Sequence, residues 1–168
     1  EPTALATSVS GNNVLCSGDA TGSATASASG GTPSYDYSWD NSATTSTATN
    51  LSAGSYVVTI TDDNGCTSVE SVTISEPSAL NASVSITDAS CYGNCDGSIV
   101  AFGTGGTTGY SYGWSNGTSN STISDLCAGS YTVTVTDGNN CEAVTSGTIS
   151  EPAEIVITAT TTDATCGS

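Results

Sequence analysis

The chain has no lysine, no arginine and no histidine in 168 residues, against sixteen carboxylates and a formal charge of −16. Nothing in it can neutralise a phosphate, which excludes nucleic acid and anionic membrane surfaces as partners. Lysine–asparagine isopeptide cross-links are impossible without lysine. Nucleophilic catalysis of the Ser–His–Asp or Cys–His kind lacks its base. Only two carboxylates could act together as acid and base, as in glycoside hydrolysis. No apolar run reaches membrane-spanning length, so no membrane insertion is expected, and no segment has a signal-peptide pattern. If the protein is secreted, its targeting signals lie outside these residues. Helical periodicity is also missing. An uncompensated charge of this size repels itself, so such a chain stays extended or recruits cations.

What is present is a repeat of 75 positions. Residues 126–137 read LCAGSYTVTVTD, and residues 51–62 read LSAGSYVVTITD. Glu1-Pro2, Glu76-Pro77 and Glu151-Pro152 share the spacing, as do Cys16, Cys91 and Cys166, Trp39 and Trp114, and Cys66 and Cys141. The expected domains are repeat 1 over 1–75, repeat 2 over 76–150, and the first strand of a third repeat, or a donor strand for a neighbour, over 151–168. The chain reads as a window on a longer tandem array.

Each repeat reads as six or seven short strands. In the 51–62 and 126–137 stretches apolar residues alternate with Val or Thr at period two, the pattern of a half-buried strand. The Leu-x-Ala-Gly-x-Tyr lead-in predicts a corner capped by Tyr56 and Tyr131, as in immunoglobulin-type sandwiches. Other strands are expected at 5–9 and 80–86, at 98–103, at the stripes Tyr35-x-Tyr37-x-Trp39 and Tyr110-x-Tyr112-x-Trp114, near Ala48 and Ile123, and over 66–75 and 141–150. The aromatic stripes are expected to pack in the core, with tryptophan as an inter-sheet plug. Turn formers punctuate the chain every 8–12 residues, and the fold class is all-β: tandem immunoglobulin-like β-sandwich modules. Val100 and Phe102 form an outward apolar stripe where repeat 1 has Thr25 and Ser27.

These residues resemble the SprB-type repeats of giant surface adhesins in gliding Bacteroidota. The resemblance rests on Asp96-Gly97-Ser98 after Cys91, Gly30-Gly31-Thr32-Pro33 with Tyr35, Tyr37 and Trp39, Ala43-Thr44-Thr45-Ser46, residues 51–66, and Thr73-Ile74-Ser75-Glu76-Pro77. It implies immunoglobulin-like modules in long secreted or cell-surface proteins, and it does not imply a catalytic site or a known ligand. The expected function is a structural segment of a secreted, calcium-stabilised extracellular fibre or adhesin, whose partners are neighbouring copies of itself. A stalk module that binds surface glycan through the Tyr/Trp stripe is the alternative.

Seven cysteines without metal-type C-x-x-C pairs point to disulfides in an oxidising compartment, and a 75-residue module with a small core needs such a staple. Cys95 and Cys127 stand where repeat 1 has Ala20 and Ser52. With a repeat's strands lettered A to G in chain order and F the strand of residues 51–62 or 126–137, they fall in the A–B and E–F turns, at the same end of a sandwich (the F–G turn follows F), and are expected to bond. The others could pair within a repeat, as Cys16–Cys66 and Cys91–Cys141, or across a junction, as Cys16–Cys141. Strand directions favour the junction. One self-contained pair per module favours the first arrangement, to which the reading leans. Oxygen donors without thiolate or imidazole partners suit Ca²⁺. The expected ligands come from Asp19, Asp62, Glu76, Asp88, Asp96, Asp125, Asp137, Asn139, Glu151 and Asp163, gathered at module junctions.

Overall fold

The computed structural model describes residues 3–162. Repeat 1 contributes β1 (Ala6–Asn12), β2 (Gly22–Ser29), β3 (Tyr35–Trp39), β4 (Thr47–Leu51), β5 (Gly54–Asp62) and β6 (Thr67–Ile74). Repeat 2 contributes β7 (Asn81–Thr87), β8 (Gly97–Thr104), β9 (Ser111–Trp114), β10 (Thr122–Leu126), β11 (Gly129–Thr136) and β12 (Glu142–Ile149). Each set makes two three-stranded sheets, β1-β2-β4 with β3-β5-β6, and β7-β8-β10 with β9-β11-β12. The sheet pairings are antiparallel, as in the registers Val9↔Ala26, Ala24↔Ala48 and Tyr37↔Ile60. Residues 151–162 form no strand, and Ile155, Val156 and Ile157 are exposed.

The period-two pattern sets the core. Val58 and Ile60 of β5, Ile74 of β6, Ala24 and Ala26 of β2, Ala48 and Leu51 of β4, and Trp39 are buried together. Their counterparts Val133, Val135, Ile149, Ile99, Ala101, Ile123, Leu126 and Trp114 are buried in turn. Each tryptophan satisfies its one donor locally: Trp39 Nε1 donates to the Thr45 carbonyl at 2.9 Å, and Trp114 Nε1 to that of Asn120 at 2.8 Å. The tyrosine corners form as expected. Tyr56 Oη donates to the Ser52 carbonyl at 3.0 Å and Tyr131 Oη to that of Cys127 at 3.1 Å. Both β4 and β10 carry a left-handed residue before their last position, Asn50 at φ 57° and Asp125 at φ 55°, and the register with the neighbouring strand shifts there. Asn and Asp tolerate this conformation better than other side chains.

By contact the residues group into two compact units. One takes in Glu1–Ala82 with Gly103–Ser111 and Val135–Ala143; the other takes in Ser83–Phe102, Tyr112–Thr134 and Val144–Ser168. The first unit therefore holds all of β1–β6 together with the loops that follow β8 and β11.

Candidate functional site

The most elaborate chemistry lies in the turns. Gly-Gly-Thr brings the chain from β2 to β3 and from β8 to β9, with Gly31 at φ 54° and Gly106 at φ 58°. This left-handed turn is the natural place for glycine. It carries the chain against a buried carboxylate, Asp62 or Asp137, at the end of β5 or β11. A Cβ added to Gly31 or Gly106 would run into that carboxylate's Oδ2. Asp62 Oδ2 accepts from Thr32 N at 2.9 Å, and its Oδ1 from Asn64 N at 3.1 Å and Cys66 N at 2.8 Å. Asp137 repeats the pattern with Thr107 at 2.8 Å, Asn139 at 2.8 Å and Cys141 at 2.9 Å. One carboxylate thus clasps two loops. These amides hold both groups below the usual aspartate range: the Thr32 N–H and then Cys66 for Asp62, and above all the Thr107 N–H for Asp137, while burial opposes.

The other candidate acids serve turns in the same way. Glu76 Oε2 accepts from Gly18 N at 2.6 Å, and Glu151 Oε2 from Gly93 N at 2.8 Å, each fastening an A–B turn to the segment after the last strand of its repeat. Asp88 accepts from Ser150 N at 2.8 Å, where repeat 1 uses Asn13 for Ser75 N at 3.0 Å. Asp96 accepts from the Ser90 amide and hydroxyl, the hydroxyl being the larger cause of its lowered pKa; repeat 1 has the Thr21 hydroxyl on Leu15 N instead. An amide or a hydroxyl fills two of these places as a carboxylate does, so the position calls for an acceptor rather than a charge. Asp125 is exposed, accepts from Ser124 Oγ at 3.1 Å and occupies the left-handed position of β10. Asp163 lies outside the described residues. Among the described residues no group of three or more carboxylates or thiols is placed to hold a metal ion.

Inside the first compact unit Cys16 is bonded to Cys141, with Cα atoms 5.7 Å apart. This corrects the lean toward Cys16–Cys66 and Cys91–Cys141: Cys66 and Cys91 are exposed free thiols. The reason is strand direction, which sets the A–B and F–G turns of one sandwich at opposite ends. Beside the bond, Asn139 Nδ2 donates to the Leu15 carbonyl at 2.9 Å. Asn139 therefore uses its side-chain amide nitrogen as a donor here. Asp19, Cys16, Leu80, Asn140, Cys141 and Glu142 help to line a cleft of about 450 Å³. Glu142 was missed in the sequence because repeat 1 has Thr67 at that position. The second bond, Cys95–Cys127, forms as expected from the paired gain of the two residues.

Two three-stranded sheets per repeat, a tryptophan plug and a tyrosine corner define a tandem of immunoglobulin-like β-sandwich modules. More particularly, the SprB repeat family's model matches residues 8–44 and again residues 83–119, once in each repeat. No curated protein matches the chain in sequence. Similar solved structures include one titled for Dscam isoform specificity, at 16% identity and TM-score 0.40, covering 90% of this chain and 47% of that one. Another holds the four N-terminal Ig domains of Dscam1 isoform 9.44, at 11% identity, TM-score 0.38 and coverages of 90% and 46%. An amphioxus IgVJ-C2 molecule matches at 12% identity, TM-score 0.34 and coverages of 71% and 89%. The chain spans about half the length of the Dscam structures it matches.

Proposed function

We propose that the chain is a structural segment of a secreted extracellular fibre or cell-surface adhesin, serving reach and stiffness, with neighbouring copies of the same module as its partners. The observation that carries this reading is the Cys16–Cys141 bond, which ties a turn of one 75-residue repeat to a turn of the next. A bond of that kind is expected in a protein that keeps its modules in fixed succession, and it persists only in an oxidising compartment. The role is mechanical rather than catalytic.

Calcium enters as the counter-ion for sixteen carboxylates with no cationic side chain beside them. Asp62 and Asp137 are already engaged by backbone amides, so the ions are expected at exposed acids such as Asp19 and Glu142 rather than in a cage. The glycan alternative would need the aromatic stripe open, whereas Trp39 and Trp114 are buried and Tyr35 and Tyr110 donate to Gly30 and Gly105 carbonyls, each at 2.6 Å.

Electron microscopy of native particles, untreated, chelated and reduced, tests the proposal. Extended uniform particles that lose regularity on reduction support it, and compact isolated particles overturn it. An unchanged melting temperature in EDTA removes calcium alone.

A further inference from the structure

The repeat that pairs Cys16 with Cys141 leaves the same two positions open once more. Cys91 is Cys16 moved on by 75 residues, and Cys66 is Cys141 moved back by 75. The bonded pair is half-buried; Cys91 and Cys66 are exposed thiols. Their surroundings are built alike. Gly93 N donates to Glu151 as Gly18 N does to Glu76, so the Cys91 turn is held as the Cys16 turn is. Asp62 accepts from the amides of Asn64 and Cys66 as Asp137 does from those of Asn139 and Cys141, so the Cys66 turn is held as its bonded counterpart is.

The clefts agree. The one beside Cys16 is walled by Ser17 and Leu80 on the cysteine's own side and by Asn140, Cys141 and Glu142 on the other. The cleft beside Cys91 has the matching Tyr92 and Ile155, with Pro152 and Ala153. Among the described residues no F–G-turn residue lines it. Tyr92 and Ile155 stay exposed there, at 55% and 88%.

We infer that Cys91 and Cys66 are the two unjoined halves of a second disulfide of this type. Cys91 accepts the F–G-turn cysteine of an equivalent module, and Cys66 is the cysteine such a module offers. The inference rests on the tandem-module reading but needs neither calcium nor a surface-bound partner. Two thiols lose two protons and two electrons as the S–S bond forms. The oxidant is a disulfide-donor protein or small disulfide, which is reduced to two thiols by exchange. The equivalent module can lie in the same polypeptide or in a second copy; the chemistry is the same.

The test uses the 168-residue chain with Cys166→Ser, carrying Cys66→Ser or Cys91→Ser, in a glutathione redox buffer. Mixing the two variants is expected to give a reducible heterodimer at least tenfold above the homodimer of either alone. Asp-N and Glu-C peptides should join Cys66 to Cys91, since trypsin has no site. Mapping the native protein without reduction then separates the sources: a Cys66–Cys91 peptide marks a second copy, and either cysteine joined to another module's peptide marks the same polypeptide. Free thiols at both positions in the native protein, or homodimers as abundant as the heterodimer, overturn the inference. Neither result touches the fibre reading, which microscopy decides.

Discussion

The two modules solve one packing problem with different residues. In repeat 1, Gly11 of β1 lies under Val72 and Ile74; in repeat 2 the counterpart of Gly11 is Ile86, and the counterpart of Val72 is Gly147, which lies under Ile86 and Ile99. Bulk has moved from one sheet to the other across the same interface. At the facing pair in the middle of the other sheet, Ala24↔Ala48 in repeat 1 becomes Ile99 and Ile123 in repeat 2. Repeat 2 adds the Cys95–Cys127 bond where repeat 1 has Ala20 and Ser52. The second module therefore carries larger side chains at these core positions and one more cross-link. The lesson is that the same fold accepts a different distribution of apolar volume between its sheets, and more of it in the second module.

The strongest way to break this comparison is to remove the extra volume. Ile99→Ala and Ile123→Ala are each expected to cost about 2–5 kcal/mol, because both side chains are buried and leave a cavity. Hydrogen exchange of the β8, β10 and β11 amides should accelerate while that of β2, β4 and β5 stays unchanged. Equal acceleration in both modules would mean that they do not hold separate cores. Next comes the staple. The Cys95–Cys127 bond spans 32 positions, for which closure entropy gives about 3–4 kcal/mol. The Cys95→Ser, Cys127→Ser pair should lower the stability of the second module by that order and leave the first as it was, as read by the same exchange.

A smaller and sharper test concerns the exchanged glycine. Gly147→Val presses a Cβ onto Ile86, already 3.0 Å from the built position, and is expected to cost about 1–3 kcal/mol. Adding Ile86→Gly reproduces the arrangement of repeat 1. The double variant should recover part of the loss, with a coupling of about 0.5–3 kcal/mol in a thermodynamic cycle. Additive losses would show that the two positions do not share one space.

Much of this was legible before any coordinates. The period-two stripes place Val58, Ile60, Val133 and Val135 in the core, and the lead-in to Tyr56 and Tyr131 predicts the corner the structure contains. Such features are local, and local patterns survive in a single sequence. The paired gain of Cys95 and Cys127 carries its contact because a difference between repeats marks both ends at once. The Cys16 pairing failed for the opposite reason: all its candidates recur, so recurrence could not choose among them, and only strand direction could. The acids are ambiguous in another way. A carboxylate that binds three amides and one that awaits a cation look alike in sequence. Asn13 opposite Asp88 and Thr21 opposite Asp96 were the available signal that these places call for an acceptor.

That substitution of Thr21 by Asp96 gives the finest distinction between the modules. Asp62 and Asp137 titrate below the usual aspartate range in the folded chain, and repeat 2 has a third such group in Asp96, held down first by the Ser90 hydroxyl and then by its amide. A folded pKa below the unfolded value near 4 means the carboxylate's contribution is complete above that value. It is lost as the pH falls through the folded pKa. Fading of the −16 charge works the other way as the ordinary carboxylates protonate, so stability should rise slightly toward pH 4 before the clasps fail. Below that point the second module has two groups to lose and the first has one. Its exchange protection should fall more steeply between about pH 4 and pH 2. Asp96→Thr, which installs the repeat 1 acceptor, should bring the two acid limbs together and slightly lower the second module's protection at neutral pH, where the carboxylate's contribution is complete. If the limbs differ as much after the substitution as before, the Ser90–Asp96 contact is not what separates the modules in acid.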